Sequence, residues 1–187
     1  MAKKNMIIFW GHDFFNNKRQ KEDYQSQVNK ALKKYNKKNR TCYIPVFGDF
    51  PHYLKNFTES EIYKHPIMKR CKKKYKAKHP KVRPNYFLPR IVELIKNADL
   101  AVFDLNFRKK RRISIKLPLN YNVLFELGIA TGIPKNCFIL CKKNPIVDRF
   151  ASDFNGIEKY EYGDFRKKDF YLAIEELLKA FLVSKKI

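Results

Sequence analysis

An α/β three-layer sandwich around a mainly parallel central sheet is the architecture that this sequence predicts. Three observations point to it. Short continuous apolar runs such as NMIIFW, ADLAVFDL and NCFILCKK have the length of strands buried on both faces. Between them lie stretches whose apolar residues recur every three or four positions, so strands and helices alternate along the chain. A length of 187 residues suits a single domain, 1–187, able to bury a core without disulfide or metal staples.

The first strand, NMIIFW, breaks at Gly11 and opens into the loop GHDFFNNK. Residues 19 to 38 predict an amphipathic helix whose inner stripe is Tyr24, Val28, Ala31, Leu32 and Tyr35. TCYIPVFGD supplies a second strand, in which Pro45 demands an edge or a bulge because it has no amide proton for a ladder. Residues 50 to 83 are too long for a plain loop and read as an insertion with a short helix around Glu59 to Met68 and a mobile basic tip. PNYFLPRIVELIKN predicts a helix from 84 to 97, with Pro89 in its first turn or at a break.

ADLAVFDL follows as a buried strand, and a second basic insertion, about 107–118, precedes the segment NYNVLFELGIATG. NCFILCKK and IEKYEY are two further strands, and a last helix, from about 165 to 183, turns Phe170, Ile174, Leu177, Leu178 and Phe181 to one side. In sheets of this kind ligands bind beyond the carboxyl ends of the strands.

The formal charge is +23, from 41 Lys and Arg against 18 Asp and Glu. Two readings stay open: attraction to polyanions and phosphorylated ligands, or a bias toward Lys, Asn, Ile, Tyr and Phe that has nothing to do with a partner. The basic tracts at 69–83 and 108–116 suit phosphate contacts, nucleic acid included, yet carry no reading helix or nucleic-acid motif. Four cysteines, Cys42, Cys71, Cys137 and Cys141, form no CxxC pair. They predict free thiols in a reduced, cytoplasmic setting. Cys137 and Cys141 point to one face of a strand, which packing explains without zinc, so no metal is expected. No signal-like leader and no apolar run of membrane-spanning length is visible, and a protein without membrane partners is expected.

Within NYNVLFELGIATG a single acid, Glu126, lies among Val123, Leu124, Phe125, Leu127, Ile129 and Ala130. If Asn120 or Asn122 caps the helix, the rest is apolar nearly all round and should be buried. One turn away stand Asn122, Val123, Ile129 and Ala130, so no cation on this helix can pair with Glu126. A carboxylate is costly to bury, and proteins tolerate it either at a functional site or against a Lys or Arg from elsewhere. The residues alone leave both open. Gly128 and Gly132 would let a sheet or ligand approach closely.

NADLAVFDL followed by NYNVLFELGIATG resembles the nucleotide-processing superfamily of TIR-like domains and nucleoside 2-deoxyribosyltransferases, and looks most similar to its TIR-like nucleotide-binding branch. IIFWGHD and DFNGIEKYEY resemble two further segments of that branch. The resemblance runs in order through most of residues 5 to 181 and skips both basic insertions. It implies a TIR-like, flavodoxin-like fold with Glu126 in the position of the catalytic carboxylate. Gly11, His12 and Asp13, at the end of the first strand, are expected to contact a nucleotide. Asp104 and Asn106, at the end of theirs, are candidates for ribose or phosphate contacts.

Asp99 matches the base-contacting Asp of the deoxyribosyltransferases, whereas Asn120 replaces an acidic residue that commonly holds the sugar hydroxyl there. Asn120 and Asn122 complete the candidate substrate-binding set. The resemblance further implies a homo-oligomer, since TIR-like enzymes often complete their pockets between subunits.

The expected function is therefore N-glycosidic cleavage of NAD or a related nucleotide, with NAD as substrate and no cofactor. Two alternatives stand beside it: removal or exchange of a base on a deoxynucleoside or deoxynucleotide, and a non-catalytic module that binds a nucleotide or nucleic acid.

Overall fold

The computed structural model describes residues 5–12, 18–48, 66–67, 87–105, 121–133, 135–143 and 156–184. Along these the elements run β1 (Met6–Gly11), α1 (Lys18–Asn39), β2 (Tyr43–Phe47), α2 (Phe87–Asn97), β3 (Leu100–Leu105), α3 (Tyr121–Thr131), β4 (Cys137–Lys142), β5 (Glu158–Tyr162) and α4 (Lys168–Ser184). The strands form one five-stranded sheet in the order β2-β1-β3-β4-β5, and every pairing is parallel. β2 is an edge strand, which accommodates Pro45 opposite Ile8.

From β1 the chain steps outward to β2, and from β3 it steps the other way to β4 and β5. The winding therefore reverses between β1 and β3, and in a sheet of this order the crevice at that reversal is where a ligand fits.

Alternation along each strand divides the core in two. Ile8, Trp10, Leu100, Val102, Phe138 and Leu140 face α1 and α4, whereas Ile7, Phe9, Ala101, Phe103, Ile139 and Cys141 face α2 and α3. On α1 the buried stripe is Tyr24, Val28, Ala31, Leu32 and Tyr35, the five that helical spacing picks out. On α4 the five expected residues are buried, joined by Ala173 and by a carboxylate, Glu175. Glu175 accepts a hydrogen bond from Lys38 on α1 at 2.7 Å and forms an ion pair with Lys179 one turn on at 3.2 Å, so it ties the two helices together.

Two expectations need correction or restriction. α3 is not buried all round: Val123, Glu126, Leu127 and Ala130 turn inward, but Phe125 is 57% exposed because only one side of the helix meets the sheet and α2. The two basic insertions lie outside the described residues, apart from Pro66 and Ile67, which are helical, with Ile67 buried in the core beneath α2 and α3. Pro89 does fall in the first turn of α2. Cys42, Cys137 and Cys141 form no disulfide among the described residues, and Cys71 is outside them. No helix among the described residues is long and apolar enough to cross a membrane, and no cluster of three or more His, Cys, Asp and Glu with metal-binding geometry occurs among them.

Candidate functional site

α3 carries Glu126 on the side that packs toward the sheet, and the residue is 7% exposed. Its carboxylate reaches the carboxyl ends of β1 and β2. A Cβ built on Gly11 would lie 2.9 Å from Glu126 Oε2, and one built on Gly48 would lie 3.2 Å from each carboxylate oxygen. Gly48 follows β2 directly, and its N–H donates to the carbonyl of Trp10 at 2.9 Å, so the ladder holds both glycines side by side. The ring of Phe103 forms another wall, 2.7 Å from the place a Gly11 Cβ would take. Two missing side chains thus create the seat in which the acid rests. Gly11 pairs with Phe103 across β1 and β3, which puts the seat beside the reversal of the winding.

His12 continues β1 past Gly11 on the α1 side. It is 7% exposed, its ring packs 5.4 Å from that of Tyr24 and 5.5 Å from that of Phe47, and its Nε2 lies 3.0 Å from the side-chain amide nitrogen of Gln25. His12, Gly11 and Glu126 therefore gather at one end of the sheet. Asp13, Asn106 and Asn120 lie outside the described residues. Asn122 sits inside the first turn of α3 and is exposed, so it is not the residue that caps the helix.

Asp99 is at the wrong end for the role expected of it. It precedes β3, and its carboxylate accepts the N–H of Ile7 at 2.6 Å while its own N–H bonds the carbonyl of Ile7 at 2.7 Å. Four strand residues, roughly 13 Å at 3.3 Å each, separate its level in the sheet from that of Gly11. The parallel register uses Asp99 to start the β1–β3 ladder, and a base held at Glu126 would be out of its reach.

Asp104 is at the right end but points the other way. Its side chain enters the α1 and α4 side of the core with no exposure at all. It accepts a short hydrogen bond from Tyr24 and others from Tyr162, whose hydroxyl lies 2.8 Å from Oδ2 and 3.1 Å from Oδ1. Trp10 Nε1 in turn donates to the Tyr24 hydroxyl at 2.9 Å. The Tyr24 hydroxyl is held protonated well above the usual phenol range, first by burial and then by the nearby charge of Asp104. A carboxylate so enclosed does not touch a ribose or phosphate in the crevice.

Sequence reasoning passed over Gly48, Trp10 and Tyr162, and took Tyr24 only as core. A glycine after the strand that flanks β1 was a readable signal for Gly48; the polar partners of Asp104 left none, because they lie 58 and 80 residues away. An open cleft of about 410 Å³ runs along the outer face of α1, with Glu22, Gln25, Ser26, Asn29, Lys30 and Lys33 among its walls.

No family model and no curated protein matches this chain. Among solved structures, its course is similar to that of a 2-desoxiribosyltransferase from Leishmania mexicana, with a TM-score of 0.46, 14% identity and coverage of 78% of this chain and 71% of that one. It is similar also to a CMP N-glycosidase from Clostridium botulinum, with a TM-score of 0.45, 11% identity and coverage of 90% and 98%. An azoreductase from Bacillus anthracis str. Sterne gives a TM-score of 0.37, 11% identity and coverage of 97% and 100%. At such values the likeness concerns the course of the chain and none of its chemistry.

Proposed function

We propose that the protein cleaves the bond between a ribosyl C1′ and its base in a nucleotide, with Glu126 as the catalytic carboxylate and NAD as the substrate that best suits the site. One observation carries this reading: an acid side chain, nearly buried, seated between two glycines at the carboxyl ends of β1 and β2 and beside the reversal of the winding.

Breaking the glycosidic bond sends its electron pair to the base nitrogen and leaves positive charge on C1′ and the ring oxygen. An anion fixed on one face of the sugar stabilises that charge or bonds to C1′ until water replaces it. In NAD the pyridinium nitrogen takes the pair and departs as neutral nicotinamide, so no acid has to protonate it. Water then adds to C1′ and gives up one proton. Asp99 and Asp104, the other acidic candidates described, are both engaged away from the crevice, which favours a leaving group of this kind over a purine or pyrimidine that needs a proton.

The test incubates the protein with NAD over a range of protein concentrations, since a pocket shared between subunits would act only when assembled, and measures free nicotinamide. Deoxynucleosides and CMP are run in parallel with release of free base as the readout. Nicotinamide release that Glu126→Gln abolishes supports the proposal. Release from the deoxynucleoside or CMP arm alone would replace NAD by those substrates, and full turnover in Glu126→Gln would remove Glu126 from the chemistry.

A further inference from the structure

We propose that Trp10, Tyr24, Asp104 and Tyr162 form a positioning network that fixes the seat of Glu126 from the opposite face of the sheet. This rests on the reading of Glu126 as the reacting carboxylate.

The direction of the network is set by chemistry. An indole N–H only donates, so the Tyr24 oxygen accepts from Trp10 and its own proton points to Asp104. Tyr162 donates to the same carboxylate. The four residues come from β1, α1, β3 and β5, and therefore bind together, at the carboxyl edge of the sheet, elements distant in sequence. Rings surround the link: Phe170 packs 4.8 Å from Tyr162 and 5.8 Å from Tyr24. In such a sheath hydrogen bonds are strong and a lost partner is not replaced by solvent.

The mechanical connection runs along the backbone. Trp10 precedes Gly11 and Asp104 follows Phe103, and Gly11 and Phe103 are both register partners and the walls of the Glu126 seat. Glu126 Oε2 and the Phe103 ring both fill the space that the missing Gly11 side chain leaves, so a displacement of either strand end moves the walls against which the acid rests. Displacements near 1 Å are enough to cost a reaction about 100-fold.

Tyr24→Phe and Tyr162→Phe each remove one donor and keep the ring, and Tyr160→Phe, also on β5, is the control outside the network. The direct readout is the carbon-13 carboxyl resonance of Glu126 and its pH midpoint in the folded protein without substrate, assigned by its loss in Glu126→Gln. The network variants should displace this resonance and its midpoint, and Tyr160→Phe should not. If both network variants fold and leave the Glu126 resonance where it was, the proposal is overturned, even if their stability falls. Turnover gives the second readout: a fall in kcat of about tenfold with KM within about twofold is expected. An unchanged kcat with a raised KM would overturn it. If no substrate is turned over by the wild type, the proposed reaction fails, while the resonance still decides the positioning role.

Discussion

The carboxylate of Glu126 and the backbone of Gly11 occupy neighbouring space that only a glycine leaves free, with Oε2 2.9 Å from where a Cβ would stand. Gly11→Ala must therefore push either the acid or the ring of Phe103, and the ring is held in the core. Overpacking of this kind costs about 1–3 kcal/mol. At Gly48 the atoms nearest the Cβ would be those of the Glu126 carboxylate, its oxygens at 3.2 Å, so Gly48→Ala should cost less stability while still displacing the acid. Urea unfolding of both variants, beside their turnover, should show Gly11→Ala impaired in both properties and Gly48→Ala chiefly in turnover.

Glu126→Gln keeps shape and removes charge. If the acid faces a sugar cation, turnover should fall by at least about 100-fold. The thermal midpoint should change little, because the amide retains most of the packing around Val123, Leu127 and Ala130. Nicotinamide release and calorimetry on the same preparation check the two halves; a variant that loses activity only because it unfolds would show a lowered midpoint.

The parts of the fold that depend on periodicity were legible in the sequence, and the parts that depend on pairing at a distance were not. The inner stripe of α1 follows from spacing alone, and the edge position of β2 from the missing amide proton of Pro45. Glu126 was visible as a lone acid in an apolar segment, but its seat was not, since Gly48 reaches it from another strand. Asp99 misled because a strand-leading acid looks the same whether it meets a ligand or, as here, the N–H of Ile7. For Asp104 the position at the carboxyl end of β3 was right, and only the alternation of the strand, which turns it toward Tyr24 and Tyr162, decides what it touches. Phe125 shows that an apolar helix need not be a buried one.

Removing a donor from the Asp104 network should also be felt in stability. Tyr162→Phe deprives a fully buried carboxylate of one hydroxyl, and about 1–3 kcal/mol is the expected loss in chemical denaturation. Tyr160→Phe, whose hydroxyl bonds Glu158 near the surface, should lose less.

Tyr43 should behave in the opposite way. Its hydroxyl is buried and has no hydrogen-bond partner among the described residues, so Tyr43→Phe discards an unsatisfied polar atom and should stabilise the protein by about 1 kcal/mol at neutral pH. Burial, helped by Tyr35 and Asp99, pushes the Tyr43 phenol up to about 12, against about 10 in the unfolded chain. The native state then holds a proton that the unfolded state releases. The associated stability is complete below pH ~10 and is lost as pH rises from there toward 12. Denaturation midpoints measured between these limits should fall less steeply in Tyr43→Phe than in the wild type.

Glu175 gives the acid counterpart. Its hydrogen bond from Lys38, against the opposing cost of burial and with further help from Lys179, lowers its pKa from 4.5 to about 2. Here the unfolded chain takes up the proton first, so the stabilisation is present above pH 4.5 and disappears as pH falls through about 2. Lys38 and Lys179 are themselves 61% and 60% exposed, and salt should weaken what they contribute. Glu175→Gln should accordingly unfold at lower denaturant than the wild type at pH 7. The gap should narrow on acidification below pH 4.5 and shrink in high salt. A gap that stayed constant from pH 7 down to pH 2 would mean that Glu175 joins α1 to α4 by shape and not by charge.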